Sequence, residues 1–326
     1  MLLPGRDDAA IERAAAALAA GELVAFPTET VYGLGARADS DTAVAGIFAL
    51  KGRPSDHPLI VHVAEAADAP RFAATLPEVA RRLIDAFWPG PLTVIVPRAP
   101  GLAAAAAGGQ GTIGLRCPAH PVAHALLAAA RRHGVPGVAA PSANRFGRIS
   151  PTRASHVVDE FGDALLVLDG GDCAVGIEST IVDCSGAVPV LLRPGQIGRE
   201  RIEAAAGLPL GAPGAESPRA SGTLEAHYAP RARLRLMPAD TLNTALQMLG
   251  DSALKLAVYS RTVALPAGSR LVRHVMPDDP DQAARELFAT LRELDAAGPD
   301  LIWVEQPPPS PAWDGVRDRL TRAAAA

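Results

Sequence analysis

Cysteine is scarce in this chain: Cys117, Cys173 and Cys184 are the only three in 326 residues, and their spacing is irregular. So odd and scattered a set does not read as a disulfide framework. There is no C-x-x-C pair, so the cysteine spacing of a structural zinc site is missing too. The thiols are expected to be reduced and mostly buried. Aromatic residues make up only 4% of the chain, with three tyrosines, which leaves little for base-stacking recognition of RNA. No apolar run approaches the roughly 20 residues that cross a bilayer. No charged-then-apolar secretory leader opens the sequence, so a cytoplasmic protein without membrane attachment is expected. Charged residues are 20% of the total and the net charge is −4, which argues against wholesale binding to nucleic acid but permits a local basic pocket. Also missing are a G-x-x-x-x-G-K-[ST] phosphate loop, an H-E-x-x-H helix and a G-x-S-x-G elbow.

What the sequence does contain is alternation. Apolar, β-branched runs at 22–28, 58–63, 91–97, 111–116, 135–140, 164–169, 179–184 and 188–193 read as strands. Stretches at 7–20, 41–51, 76–87, 120–133, 152–160 and 198–206 carry apolar residues three and four apart and read as helices. The opening "MLLPGRDDAAIERAAAALAAGE" is read as one amphipathic, alanine-rich helix. Strands alternating with helices predict an α/β domain over 1–207 on a mixed twisted sheet. A segment rich in Gly, Pro, Ala and Ser over 208–231 reads as a linker. From 232 to 326, strands "RLRLM", "ALKLAVYS" and "DLIWVE" with helices at 240–249, 281–296 and 312–325 predict a smaller α/β domain. In the last helix Asp318 stands four residues before Arg322, a helix-supporting ion pair.

Polar residues cluster at the predicted strand ends, where open α/β sheets bind ligands. "FPTETVYGLG" (26–35) gathers Thr28, Glu29, Thr30 and Tyr32, which suit either turn capping or a pocket rim. Gly33, Gly35 and Ala38 fit G-x-G-x-x-A, but "PTETVY" separates them from the strand, unlike a dinucleotide-binding turn. In "KGRPSDHPL" (51–59), Pro54 and Pro58 restrict the backbone around Lys51 and Arg53. A point charge beside a planar fork suits a polyphosphate, although a solvated charged turn would have the same composition. His62 closes the next strand. Arg116 ends the strand in "TIGLRCP" and can answer a ligand carboxylate or an internal acid equally well. "AAPSANRFGRISPT" (139–152) offers Ser142, Asn144 and Ser150 for a phosphate cradle or for Asx and Ser turns. Ser179 precedes the strand of "GIESTIVD", and Arg193 ends that of "LLRPG". Lys51, Arg53, Arg116 and Arg193 together favour one convergent anion site over four separately solvated charges. No Ser/His/Asp or Cys/His arrangement stands out, so such a site would act by positioning and charge neutralisation, the logic of phosphoryl or nucleotidyl transfer.

In this order "PTETVYGLG", "KGRP…HPLIVH", "WPGPLT", "TIGLR", "APSAN…SPT", "ESTIVD" and "RPG" resemble the YrdC-like family of threonylcarbamoyl-AMP synthases over roughly residues 10–205. The "HYAP" segment and the C-terminal domain resemble the family's long form. The resemblance implies an α/β fold with an open twisted mixed sheet, a linker and a smaller Rossmann-like C-terminal domain. It implies an enzyme that makes threonylcarbamoyl-AMP and pyrophosphate from L-threonine, bicarbonate and ATP with Mg2+, for the threonylcarbamoyladenosine modification of tRNA. Carried over residue by residue, Lys51 and Arg53 match the catalytic cationic pair at the nucleotide phosphates. His57, Thr112, Ser142, Asn144, Ser150, Arg193 and Tyr228 match further ATP-binding positions. Thr30, His62, Arg116 and Ser179 match positions around threonine, and no position matches a protein-held metal. His57 departs from the Asn of many members, and no basic residue directly precedes "HYAP". The implied partner is the downstream tRNA threonylcarbamoyl transferase machinery, with weak or no direct tRNA binding. A carbamoyl-adenylate-forming domain of the hydrogenase-maturation kind shares the fold, but that system carries zinc-finger segments for which this chain has no cysteine pairs.

Overall fold

The computed structural model describes residues 1–249, 255–265 and 271–326. Two compact units divide the chain, Met1–Phe146 with Ser150–Thr223, and Gly147–Ile149 with Leu224–Ala326. In the first unit the chain runs β1 (Leu2–Pro4), α1 (Asp8–Ala19), β2 (Val24–Phe26), β3 (Gly33–Arg37), α2 (Asp41–Lys51), β4 (Ile60–His62), α3 (Glu78–Phe87) and β5 (Leu92–Pro97). It continues β6 (Thr112–Arg116), α4 (Pro121–Arg132), β7 (Val138–Ala139), α5 (Ala154–Phe161), β8 (Leu166–Asp169), β9 (Thr180–Asp183), β10 (Val190–Arg193) and α6 (Arg199–Ala206). The strands form one mixed ten-stranded sheet in the order β1-β8-β2-β3-β7-β4-β6-β5-β9-β10.

Alternation along each strand builds a core on both faces of this sheet. Val24 and Phe26 pack with Leu126 and Val138 of one cluster, while Ala25 between them belongs to the other, with Leu34, Val61 and Leu115. Local chemistry sets the helix ends. Asp7 caps α1 by accepting from the Ala9 N–H, and Ser40 caps α2 by accepting from the Ala43 N–H. Gly52, at φ 64°, ends α2 in the left-handed conformation that glycine adopts without a Cβ clash.

The expected helices form to within about two residues at each end, as helix boundaries do. The opening segment is corrected: α1 begins at Asp8, and Leu2–Pro4 pairs in parallel with β8 at the sheet edge. The G-x-G-x-x-A match is no dinucleotide-binding turn, as the intervening "PTETVY" indicated, but the strand found there was not expected. Gly33–Arg37 is a strand, antiparallel to both β2 and β7, not a strand-to-helix turn. The sheet requires glycine here, because a Cβ on Gly35 would lie 2.8 Å from both Phe26 and Val138 side-chain atoms. The 208–231 segment is divided between the units, 208–223 grouping with the first and 224–231 with the second.

The second unit contains β11 (Arg233–Met237), α7 (Ala239–Leu249), β12 (Leu256–Ser260), β13 (Val272–Val275), α8 (Pro280–Ala296), β14 (Leu301–Glu305) and α9 (Asp314–Ala324). Its strands are all parallel, in the order β11-β14-β12-β13, and β13 was not expected from the sequence. Ala253 and Leu254 of the expected "ALKLAVYS" strand lie outside the described residues. Asp279 caps α8 from the Gln282 N–H at 2.7 Å, with Pro280 at the first helical position. Asp318 and Arg322 form the expected pair at 2.9 Å. Glu305, at the end of β14, accepts from the backbone N–H groups of Arg261, Thr262 and Val263 and from the Thr262 hydroxyl.

Candidate active site

Lys51 is the last residue of α2 and its side chain is buried. Its ammonium donates to the carbonyl oxygens of Ser142, at 2.6 Å, and Asn144. Burial, reinforced by the positive charge of Arg53, holds its pKa well below the ordinary lysine value. The Gly52 turn then delivers Arg53, whose guanidinium donates to the Pro58 carbonyl at 3.0 Å and lies over the Phe146 ring, 5.7 Å from its centroid. His57 meets the same ring edge-on at 5.4 Å. Its pKa is lowered by burial and by Arg53.

A second group forms where β4 and β6 run in parallel with His62 directly opposite Arg116. Arg116 donates through Nη1 to Thr30 Oγ1 at 2.9 Å and through Nε to the Gly90 carbonyl at 3.3 Å. Its Nη2 lies 2.7 Å from Glu29 Oε1. Of the two partners open to Arg116 in the sequence, the structure supplies an internal acid. Thr30 Oγ1 also shares a hydrogen bond with Thr28 Oγ1, at 2.8 Å. His62 is buried, and burial together with the charge of Arg116 lowers its pKa to about 3, so the ring is neutral at physiological pH.

The third group lies at β5, β9 and β10. Arg193 donates to Ser179 Oγ at 3.1 Å, to the Ser179 carbonyl at 3.0 Å and to the Ser221 carbonyl at 2.7 Å. Ser179 Oγ is also 2.8 Å from Thr93 Oγ1. Next to Ser179, Glu178 accepts a 2.5 Å hydrogen bond from the Ser150 hydroxyl. Thr112, at the start of β6, lines a crevice on the sheet with Thr93, Ile181, Gln110 and residues 219–221. The enclosed space is about 10 Å³, roughly room for one water.

Lys51, Arg53, Arg116 and Arg193 are between 2% and 7% exposed. Buried charges need partners, and backbone carbonyls, the hydroxyls of Thr30 and Ser179 and the acid Glu29 supply them. Such an arrangement can receive anions by presenting oriented positive charge. Among the described residues no three His, Cys, Asp or Glu side chains gather as a metal cage. The three cysteines are free and buried, as their scarcity suggested.

A family profile described as Telomere recombination matches residues 16–195, and one described as threonylcarbamoyl-AMP synthase, C-terminal domain, matches residues 197–325. The Bacillus subtilis threonylcarbamoyl-AMP synthase is 38% identical, over 98% of this chain and 94% of its own. The chain belongs to the threonylcarbamoyl-AMP synthase family. The Pyrococcus abyssi synthase is 39% identical over 90% of this chain and 88% of its own. The crystal structure of P. abyssi Sua5 complexed with L-threonine superposes with a TM-score of 0.89 at 34% identity, covering 99% of this chain and 97% of that one.

Twelve of the thirteen residues expected from the family pattern stand in the first unit: Lys51, Arg53, His57, Thr112, Ser142, Asn144, Ser150, Arg193, Thr30, His62, Arg116 and Ser179. Tyr228 lies in the second unit, buried, at φ 63°, with Phe288 at 5.3 Å and the Arg319 guanidinium over its ring. Glu29 and Glu178 were not among the expected site residues. Glu29 had a signal in "PTETVY", a lone acid in a run of hydroxyls; Glu178 had only its place beside Ser179.

Proposed function

We propose that this chain condenses L-threonine, bicarbonate and ATP into L-threonylcarbamoyladenylate and pyrophosphate, a nucleotidyl transfer. The observation that carries this reading is the burial of four cations, Lys51, Arg53, Arg116 and Arg193, the third of them opposite neutral His62, in a chain that shares its family across both units. Arg116, with Thr30, His62 and Ser179, would hold threonine, its guanidinium taking the carboxylate. Lys51 and Arg53, with His57, Thr112, Ser142, Asn144, Ser150 and Arg193, would hold the nucleotide.

The threonine amine captures bicarbonate-derived CO2 to give N-carboxythreonine. The new carboxylate attacks the α-phosphate of ATP, forming a P–O bond as the bond to the pyrophosphate oxygen breaks. Lys51 and Arg53 oppose the charge growing on that leaving group. Mg2+ would enter with the triphosphate and add to that neutralisation, held chiefly by phosphate oxygens as Mg2+ commonly is. The reading places the protein in the cytoplasm, ahead of the machinery that transfers the threonylcarbamoyl group to tRNA.

Mass spectrometry of the product from ATP, isotope-labelled threonine and labelled bicarbonate tests this. An adenylate carrying both labels, with equimolar pyrophosphate, is expected. Pyrophosphate release without either label in the nucleotide product would overturn the proposal.

A further inference from the structure

Arg116 has five N–H groups in a fixed plane. One on Nε meets the Gly90 carbonyl, one on Nη1 meets Thr30 Oγ1, and Nη2 faces Glu29. The contact with Glu29 is an ion pair without hydrogen-bond alignment, which leaves one N–H on Nη1 and both on Nη2, enough for a carboxylate to take a two-point fork. The orientation of the fork is therefore set by three protein groups, and Glu29 is the charged one.

Glu29 is itself anchored. Its Oε1 lies 2.7 Å from Arg116 Nη2, and its Oε2 accepts from the Ala119 N–H at 3.2 Å. Its backbone carbonyl accepts from the Val175 N–H at 2.7 Å. One carboxylate oxygen thus accepts from the backbone while the other faces the Arg116 charge on a different segment of chain. An amide has one acceptor oxygen and would turn an NH2 group toward one of those partners. A buried ion pair is a poor device for stability, because desolvation offsets much of its attraction. Its worth here lies in geometry.

We propose that Glu29 is a positioning residue for threonine recognition: it aims Arg116 so that two of the remaining N–H groups receive the substrate carboxylate. The role rests on the proposed function, in which Arg116 takes that carboxylate. Glu29 touches no reacting atom and acts through Arg116 alone.

Calorimetric titration of the full chain with threonine, with threoninol, which lacks the carboxylate, and with ATP separates the possibilities. Glu29→Gln is expected to weaken threonine binding by about tenfold to a hundredfold, the scale of one charge-assisted hydrogen bond. Threoninol and ATP affinities are expected to stay within about twofold, as they make no use of the fork. Should Glu29→Gln fail to fold by circular dichroism, Glu29→Asp carries the same expectation, its carboxylate drawn back by about one C–C bond, ~1.5 Å. Unchanged or tighter threonine binding would overturn the role, as an arginine merely freed of its counter-charge would bind the carboxylate better. An equal loss for threoninol would overturn it too. Wild-type protein that binds ATP but no threonine would overturn the proposed function itself, and this role with it.

Discussion

The ammonium of Lys51 sits 2.6 Å from the carbonyl oxygen of Ser142, 91 residues away in sequence. The contact ties the end of α2 to the loop after β7, so the same cation that can meet a phosphate also holds the loop beside it.

Replacing Lys51 by Met keeps most of the unbranched side chain and removes the donor. The Ser142 and Asn144 carbonyls then lose that partner, at a cost of about 1–3 kcal/mol in urea unfolding. Pyrophosphate release is expected to fall by more than the loss of folded protein explains, roughly a hundredfold, as when one preorganised charge is removed. Undiminished release would count against Lys51 at the phosphates.

His62 gives the protein a defined response to acid. Its pKa is about 3 in the fold against 6.5 for an ordinary imidazole. The unfolded chain therefore takes up the proton first as pH falls. Stability from neutral His62 is fully present above about pH 6.5 and drains away from there toward pH 3, at roughly 1 kcal/mol per pH unit. Urea midpoints between pH 7 and 4 should fall more steeply for wild type than for His62→Gln. Parallel slopes would show that His62 is not buried neutral.

The crevice beside Thr112 is covered by a short strap. The Arg219 N–H donates to Gln110 Oε1 at 2.8 Å, and Gln110 returns a bond to the Arg219 carbonyl at 3.1 Å. Gln110→Ala removes both. Hydrogen exchange at the Arg219 amide should then accelerate by tenfold or more, with amides in β5 and β6 unaffected, since local opening and global unfolding are separate events. Equal protection in both proteins would mean the strap is held by other contacts.

Elements with a strong local period were readable in the sequence, and contacts set by sheet order were not. Asp41–Lys51 ends as a helix where "KGRP" said it would, because Gly52 encodes its own left-handed turn. Gly33–Arg37 escaped, because a strand of glycine, leucine and alanine lacks the β-branched residues that mark most strands. What makes it a strand is the approach of Phe26 and Val138, which no window of sequence displays. Arg116 was visible as a strand-end cation, but its partner was not. Glu29, between β2 and β3, reaches it only through the sheet order β2-β3-β7-β4-β6, which no stretch of sequence displays.

Glu305 has a consequence for the second unit. Open parallel sheets commonly receive phosphates in turns of converging backbone N–H groups at the carboxyl ends of their strands. Here the turn after β12 closes on the protein's own carboxylate, through three N–H groups and a hydroxyl. The side chain plays the part of a resident anion. A guest phosphate would first have to displace a competitor that the chain itself holds in place.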